Sequence, residues 1–369
     1  MTLTPEQAEM RTVLRSFFAQ VSSDEAVREA GDLAGGFDPA IWSRLAGMGM
    51  LGAHVPVEFG GGGAGFVELA ILLEEAGRSL FGGPLLSSAL LATTALLIAD
   101  ARGSKRLLSE LSAGQLIGTV APFPHDGESR GRVHASLRSG SWFLTGEAAF
   151  VLDGESADLI LVFADTPAGP SLYRVTGGAA GLERTGMETL DLSRRHSRLT
   201  FEETPAQLVG GQGGGHEIAS RLMDIGVALL AAEQLGVAER MLELTVSYAS
   251  SREQFGQPIG SFQAVKHQCA EMLVEVELMR SITYYAVALA ARGDEELPIA
   301  SPAAAAFTGE ACFRIVSRAL HLHGGIGFTW EHPSHLFFRR AKADEVLFGD
   351  ARFHRGVLSK RLIAYAKQV

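Results

Sequence analysis

From Ile218 to Ser250 the chain is apolar on nearly every face a helix has. A helix of that kind must be covered all round, so it belongs at the centre of a bundle rather than on a surface. This run commits the C-terminal part of the chain to helices packed around it. The run is cut off sharply: Arg252 falls in its last turn, and Gly256 and Pro258 forbid continuation. Ser261 is placed to cap a second helix starting at Phe262. In that second helix Val265, Cys269, Met272, Val276 and Met279 are spaced four and three apart, a seam of the kind two packed helices share. Arg252, Gln254 and Phe255 are therefore held at a tight junction between two long helices. Two readings of Arg252 stay open at this point: a guanidinium making bidentate bonds to a phosphate beside an aromatic ring, or a cation complementing the helix dipole.

The rest of the chain divides by pattern. Residues 1–116 read as a helical domain. Thr4-Pro5-Glu6 and Asp38-Pro39 are helix starts, and helices follow over Phe66–Leu80, Pro84–Ala99 and Lys105–Ser112. Residues 117–210 read as a small β domain. Its short apolar runs at Trp142–Leu144, Phe150–Leu152, Leu159–Phe163, Leu172–Val175 and Leu199–Phe201 are separated by turn residues, Asp153-Gly154 among them. Residues 211–369 return to helices, with one expected to start at Pro302 and to be interrupted by Gly324, Gly325 and Gly327. The glycine-rich stretch Gly60–Gly63 lacks the strand and acidic partner of a dinucleotide fingerprint, and Gly210–Gly215 reads as a loop leading out of the β domain, by context not a phosphate loop. The fold class expected is multidomain α+β: a helical domain, a β-barrel-like domain and a C-terminal four-helix bundle.

Composition narrows the function. A net charge of −10 with no basic block argues against nucleic acid, whose phosphates need clustered cations. Cys269 and Cys312 sit in apolar helical patterns and read as small hydrophobes rather than a disulfide or metal pair. No basic-then-apolar leader opens the sequence, and the apolar window Pro84–Ala99 is too short for a bilayer and carries Ser87, Ser88, Thr93 and Thr94. A cytoplasmic protein without membrane or nucleic-acid partners is expected.

Three motifs in order resemble the acyl-CoA dehydrogenase family. They are V-P-V-E-F-G-G-G at Val55–Gly62, R-E-Q-F-G-Q-P-I at Arg252–Ile259 followed by Phe262-Gln263, and the segment His321–Asp350 with its H-G-G-I-G-F core. The resemblance implies FAD as cofactor and α,β-desaturation of an acyl-CoA thioester, with a carboxylate removing the α-proton. It also implies a tetramer joined through the last bundle and electron-transfer flavoprotein as electron acceptor. Carried onto this sequence, it assigns flavin contacts to Arg252, Gln254, Phe255, Gln263, His321, Gly324 and Gly325. The arginine corresponds to one that reaches the flavin diphosphate across a subunit interface.

The departures from the family pattern matter as much. The glutamate of the family's Y-E-G-T sequence is replaced by Phe348, and Asp350 stands where a threonine is expected; it reads as a displaced base or a surface acid. The alternative base position, on the long helix, is Gly226. Glu233, two turns further along that helix among small apolar residues, is the candidate base, its other reading being a glutamate buried against an arginine. Asp224 points away from the Gly226 face and ranks below it. The family's T-E-x-x-A-G-S-D segment is replaced by A-P-F-P-H-D-G-E-S at Ala121–Ser129, and its A-W-I-T-N-G by Ala149–Gly154, with Phe150 for Trp and Leu152 for Thr. A chain with an intact arm and an eroded site is similar to the actinobacterial subunits of this family that assemble two-plus-two with a related chain. The alternatives carried forward are a catalytic chain using Glu233, a non-catalytic partner completing a companion's FAD site, and a flavin monooxygenase or oxidase on the same fold.

Overall fold

The computed structural model describes residues 3–30, 33–121 and 131–367. Helices α1 (Pro5–Val21), α2 (Asp24–Glu29), α3 (Pro39–Gly47) and α4 (Phe66–Arg78) come first. Thr4 and Gln7 close a reciprocal capping box on α1, and Asp38 accepts from Ala40 N–H at the start of α3. The apolar window read as one helix is two. A π-helix over Leu85–Ala92 runs into α5 (Thr93–Asp100), followed by α6 (Lys105–Ser112).

The middle of the chain is a seven-stranded sheet of β1 (Gly118–Ala121), β2 (Val133–Arg138), β3 (Ser141–Leu152), β4 (Leu159–Ala164), β5 (Ser171–Thr176), β6 (Leu182–Met187) and β7 (His196–Val209). Its order is β1-β4-β5-β7-β3-β2, with β6 on β7. The sheet curls until a single isolated bridge, His134 to Asp165, links β2 to the end of β4, and it stops short of a closed barrel. Trp142–Leu144 and Phe150–Leu152, read as separate strands, lie in one long strand. Irregularities in its pairing with β7, at Leu144/Gly146 and Ala148/Val151, break the alternation that sequence reading relies on. The second of these leaves Phe150 at φ +58 and half exposed.

Helices return with α7 (Gly215–Ser251), a two-residue hairpin of β8 (Glu253–Gln254) and β9 (Gln257–Pro258), then α8 (Gln263–Arg292), α9 (Leu297–His323), α10 (Ser334–Val346) and α11 (Ala351–Ala366). The expected seam on α8 packs inward. Met272, Val276 and Met279 are buried, each contributing about 1.5–3 kcal/mol, while Val265 and Cys269 are half-buried. α9 starts at Leu297, more than a turn before Pro302, which lies inside the helix. Proline at that position leaves the Pro298 carbonyl without its helical donor, and Arg361 of α11 supplies one at 2.7 Å. The same guanidinium pairs with buried Asp224 at 2.6 Å. Ser261 does not cap α8: its hydroxyl closes a local turn onto the Pro258 carbonyl, and α8 begins without a side-chain cap.

α4 meets α7 at two glycines. A Cβ on Gly77 would stand 2.3 Å from the Glu233 carbonyl oxygen, and one on Gly236 would stand 1.9 Å from that of Glu74. Only glycine permits this approach, and it seats α7 against both the N-terminal helices and the bundle. Fully buried Glu74 and Glu75 are met there by Arg11, Arg15, Arg280 and Tyr284, which tie α1, α4 and α8 together. Among the described residues no helix is long and apolar enough to cross a membrane.

Candidate functional site

The helix junction builds an arm. α7 ends at Ser251, Arg252 follows as its C-cap with extended backbone, and the hairpin folds back so that Ile259 N–H donates to the Arg252 carbonyl at 2.8 Å. Phe255 and Gly256 form the two-residue turn, both at positive φ (+54 and +78). That geometry matches strand twist and ordinarily takes Asn-Gly. An aromatic residue held there costs roughly 1–2 kcal/mol, and its ring is 92% exposed. Arg252, Gln254 and, at the start of α8, Gln263 are exposed as well. Among the described residues the Arg252 guanidinium has no carboxylate within ion-pair distance. A strained aromatic turn beside an unneutralised guanidinium is a surface prepared for an anionic, partly aromatic ligand or a neighbouring chain.

The end of α9 lies against the base of this arm. Tyr248, one turn before Arg252, stacks on His323 at 4.7 Å between ring centroids, and His323 in turn meets His332 at 4.5 Å. Burial lowers the pKa of His323 while the Ala319 carbonyl, 2.7 Å from its Nδ1, pulls the other way. Gly324 and Gly325 follow directly, and a Cβ on either would meet nothing within 4 Å. His321 is exposed in the last turn of α9. The structure thus brings Arg252, Gln254, Phe255 and Gln263 to one helix junction, and the Tyr248–His323 stack ties the end of α9, which carries His321 and leads into Gly324 and Gly325, to the base of the arm. Sequence reasoning missed Tyr248. A diphosphate and an aromatic ring system fit this end: a free guanidinium, an exposed ring and open backbone are all present.

Glu233 is not part of that end. It lies on α7 roughly 28 Å from Arg252 at the helical rise, 3% exposed. Its Oε1 accepts from Arg340 Nη1 at 2.6 Å and from Arg194 Nη2. The cavity beside it, lined also by Phe81, Leu86, Leu152 and Asp153, holds about 20 Å³, room for one water and not for an acyl thioester. Glu233 is thus a carboxylate buried against two arginines, the surroundings its other reading describes. Phe348 packs on the apolar core beside buried Leu347. A Cβ on Gly226 would meet the Leu91 side chain of the π-helix at 3.3 Å. Asp350 caps α11, accepting from Phe353 N–H at 2.8 Å. Asp224 is engaged by Arg361 and by Ser301 at 2.9 Å. The altered segment after Ala121 lies outside the described residues.

Arg340 is the largest fully buried side chain of the described residues, 1% exposed. Its guanidinium donates to Asp191, to Glu233, to the Ser193 hydroxyl at 2.6 Å and to the Phe81 carbonyl at 3.5 Å. Arg194 bridges Glu233 and Asp344. One cluster therefore joins the loop after α4, the β6–β7 loop, α7 and α10. Burial opposes ionisation of Asp191, but Arg340 and Arg194 outweigh it and hold that carboxyl below its ordinary range.

A helical unit, a curled sheet and a helical bundle follow in that order, with an exposed arm at the α7–α8 junction. Comparison with known proteins is specific. Acyl-CoA dehydrogenase, N-terminal domain, matches residues 4–115, and Acyl-CoA dehydrogenase, C-terminal domain, matches residues 213–363. The chain is 34% identical over 353 residues to acyl-CoA dehydrogenase IpdE2 of Mycolicibacterium smegmatis, covering 95% of this chain and 96% of that one. It is 33% identical to acyl-CoA dehydrogenase FadE27 of Mycobacterium tuberculosis, covering 95% of each. Among solved structures it resembles the Tcur3481-Tcur3483 steroid acyl-CoA dehydrogenase (TM-score 0.90, 32% identity, all of both chains). It also resembles the ChsE4-ChsE5 complex from Mycobacterium tuberculosis (TM-score 0.89, 30% identity, 98% of both chains). The chain belongs to the acyl-CoA dehydrogenase family.

Proposed function

We propose that this chain is the non-catalytic partner in a two-chain, FAD-dependent acyl-CoA dehydrogenase, and that its Arg252–Phe255 arm completes a flavin site held mainly by a family-related companion. The observation that carries the reading is the pairing of an exposed, strained arm with Phe348 where a base is expected. In this assembly Arg252 neutralises the flavin diphosphate through its planar fork, Gln254 and Gln263 add amide hydrogen bonds, and the Phe255 ring excludes water from them. The backbone at Gly324 and Gly325 gives a second close approach. FAD would supply hydride acceptance during desaturation of an acyl-CoA; the proton would be taken by a carboxylate on the companion, since Phe348 stands at this chain's expected base position and packs on the apolar core. Two related structures that are complexes of two named chains support a heteromeric assembly. Absorbance of the purified chain, alone and co-purified with a companion carrying the glutamate, tests this. A colourless chain that becomes part of a yellow complex bleached by acyl-CoA is expected. A yellow homo-oligomer bleached without a companion would refute the partner role.

A further inference from the structure

The buried cluster around Arg340 carries more acid than base. Asp191, Glu233 and Asp344 belong to it, and Asp153 reaches the same small cavity from the end of β3 while bonded to the Ser87 hydroxyl of the π-helix. Against these four carboxyls stand the guanidiniums of Arg194 and Arg340, with Arg195 acting on Asp153 from further away. Fully ionised, the four carboxyls and two guanidiniums would leave two uncompensated negative charges in a nearly dry space, which is strongly unfavourable. Two protons make it neutral.

Geometry says where they sit. Asp191 and Glu233 are each held by guanidinium donors, and Asp191 also accepts from Ser193 N–H and O–H at 3.0 and 2.7 Å. Asp344 has one oxygen on Arg194, while its Oδ2 is buried with no partner. Asp153 has a single hydroxyl partner, Ser87, and no guanidinium bonded to it. Facing Asp344 are Arg194, Glu233, Arg340, Asp191 and the buried Cys312 thiol; facing Asp153 are Ser87, Arg194, Arg340 and Arg195. We propose that Asp344 and Asp153 hold one proton each, and that the cluster is a proton-loaded latch fastening the β6–β7 loop and the β3 bulge at Phe150 to the helical bundle. Burial pushes both carboxyls up, to about 7 for Asp344 and about 6 for Asp153. Both values lie above those of the unfolded chain, so the stabilisation is complete below about pH 4 and is lost as pH rises through about 6 and then about 7.

Hydrogen exchange of the full-length protein, corrected for intrinsic rates, tests the latch over residues 148–154 and 188–195. Between about pH 6 and about pH 8 the loss of one proton with a folded pKa of about 7 lowers protection about tenfold. Asp344→Asn, a neutral mimic of the protonated acid, is expected to fold, to keep high protection at the upper pH and to remove most of that tenfold change. Asp153→Asn should remove a smaller part. Infrared spectra give a second reading: the carbonyl band of protonated carboxylic acid at about pH 6 should shrink in each variant. An unchanged pH dependence in Asp344→Asn, an unchanged acid band, or failure of that variant to fold would each overturn the proposal.

Discussion

Replacing Arg340 with methionine tests what the buried cluster contributes to stability. The variant keeps much of the volume and removes every guanidinium donor. Asp191 loses its ion-pair partner and keeps only the Ser193 N–H and O–H; Glu233 keeps Arg194; the Ser193 hydroxyl and Phe81 carbonyl each lose a donor. Removing one partner of a buried pair costs about 3–5 kcal/mol because a charge is left uncompensated. The remaining Arg194 and the neutral state of Asp344 and Asp153 place the expected loss near the lower end, about 3 kcal/mol. Arg340→Lys keeps the charge but, as a point donor, cannot span Asp191 and Glu233 while serving Ser193; about 1.5–3 kcal/mol is expected from the lost charged hydrogen bonds. Urea unfolding followed by circular dichroism and by tryptophan fluorescence reads the difference, and coincident transitions license a single free energy. An Arg340→Met protein within about 0.5 kcal/mol of wild type, the range of ordinary surface substitutions, would refute the electrostatic account of this joint.

Three further outcomes follow from the same geometry. Arg361→Leu leaves the buried Asp224 carboxyl with only the Ser301 hydroxyl and the Pro298 carbonyl without its donor, and a loss of about 2 kcal/mol in urea unfolding is expected; no loss would mean that the C-terminal helix is held by its apolar contacts alone. Phe255→Asn suits the left-handed turn and should steady the hairpin by roughly 1 kcal/mol, seen as slower exchange of the Ile259 amide, while lowering flavin content in the assembled complex. A faster-exchanging amide would contradict the strain argument. Glu233→Gln should weaken the fold yet leave acyl-CoA bleaching of a companion complex intact; abolished bleaching in a fully folded variant would reinstate Glu233 as the base.

How much of this was legible in the sequence depends on the range over which each feature is encoded. The α7–α8 junction was, because Gly256 and Pro258 are local stop signals and the arm lies within a dozen residues. The inward seam on α8 was, because Met272, Val276 and Met279 repeat at helical spacing. β3 was misread as two strands, since irregular pairing around Gly146 and Phe150 breaks alternation within one strand. α9 was started too late at Pro302, because the carbonyl that proline frees is served by Arg361, far along the chain. The helix-capping role of Asp350 was passed over in favour of base and surface readings. The cluster around Arg340 was beyond local reading. Its members come from positions 81, 191–194, 233 and 344, and only the close approach of α4 and α7 at Gly77 and Gly236 brings them together. Glu233 was singled out for the correct physical reason, a carboxylate among small apolar residues, but its partners decide its role.

The flavin-to-protein ratio of the two-chain complex, measured by absorbance with wild-type chain and with Arg252→Ala, is the most direct test of the arm. The account predicts a complex that assembles normally but retains only a small fraction of the flavin when the guanidinium is removed. Full occupancy in the Arg252→Ala complex would contradict it.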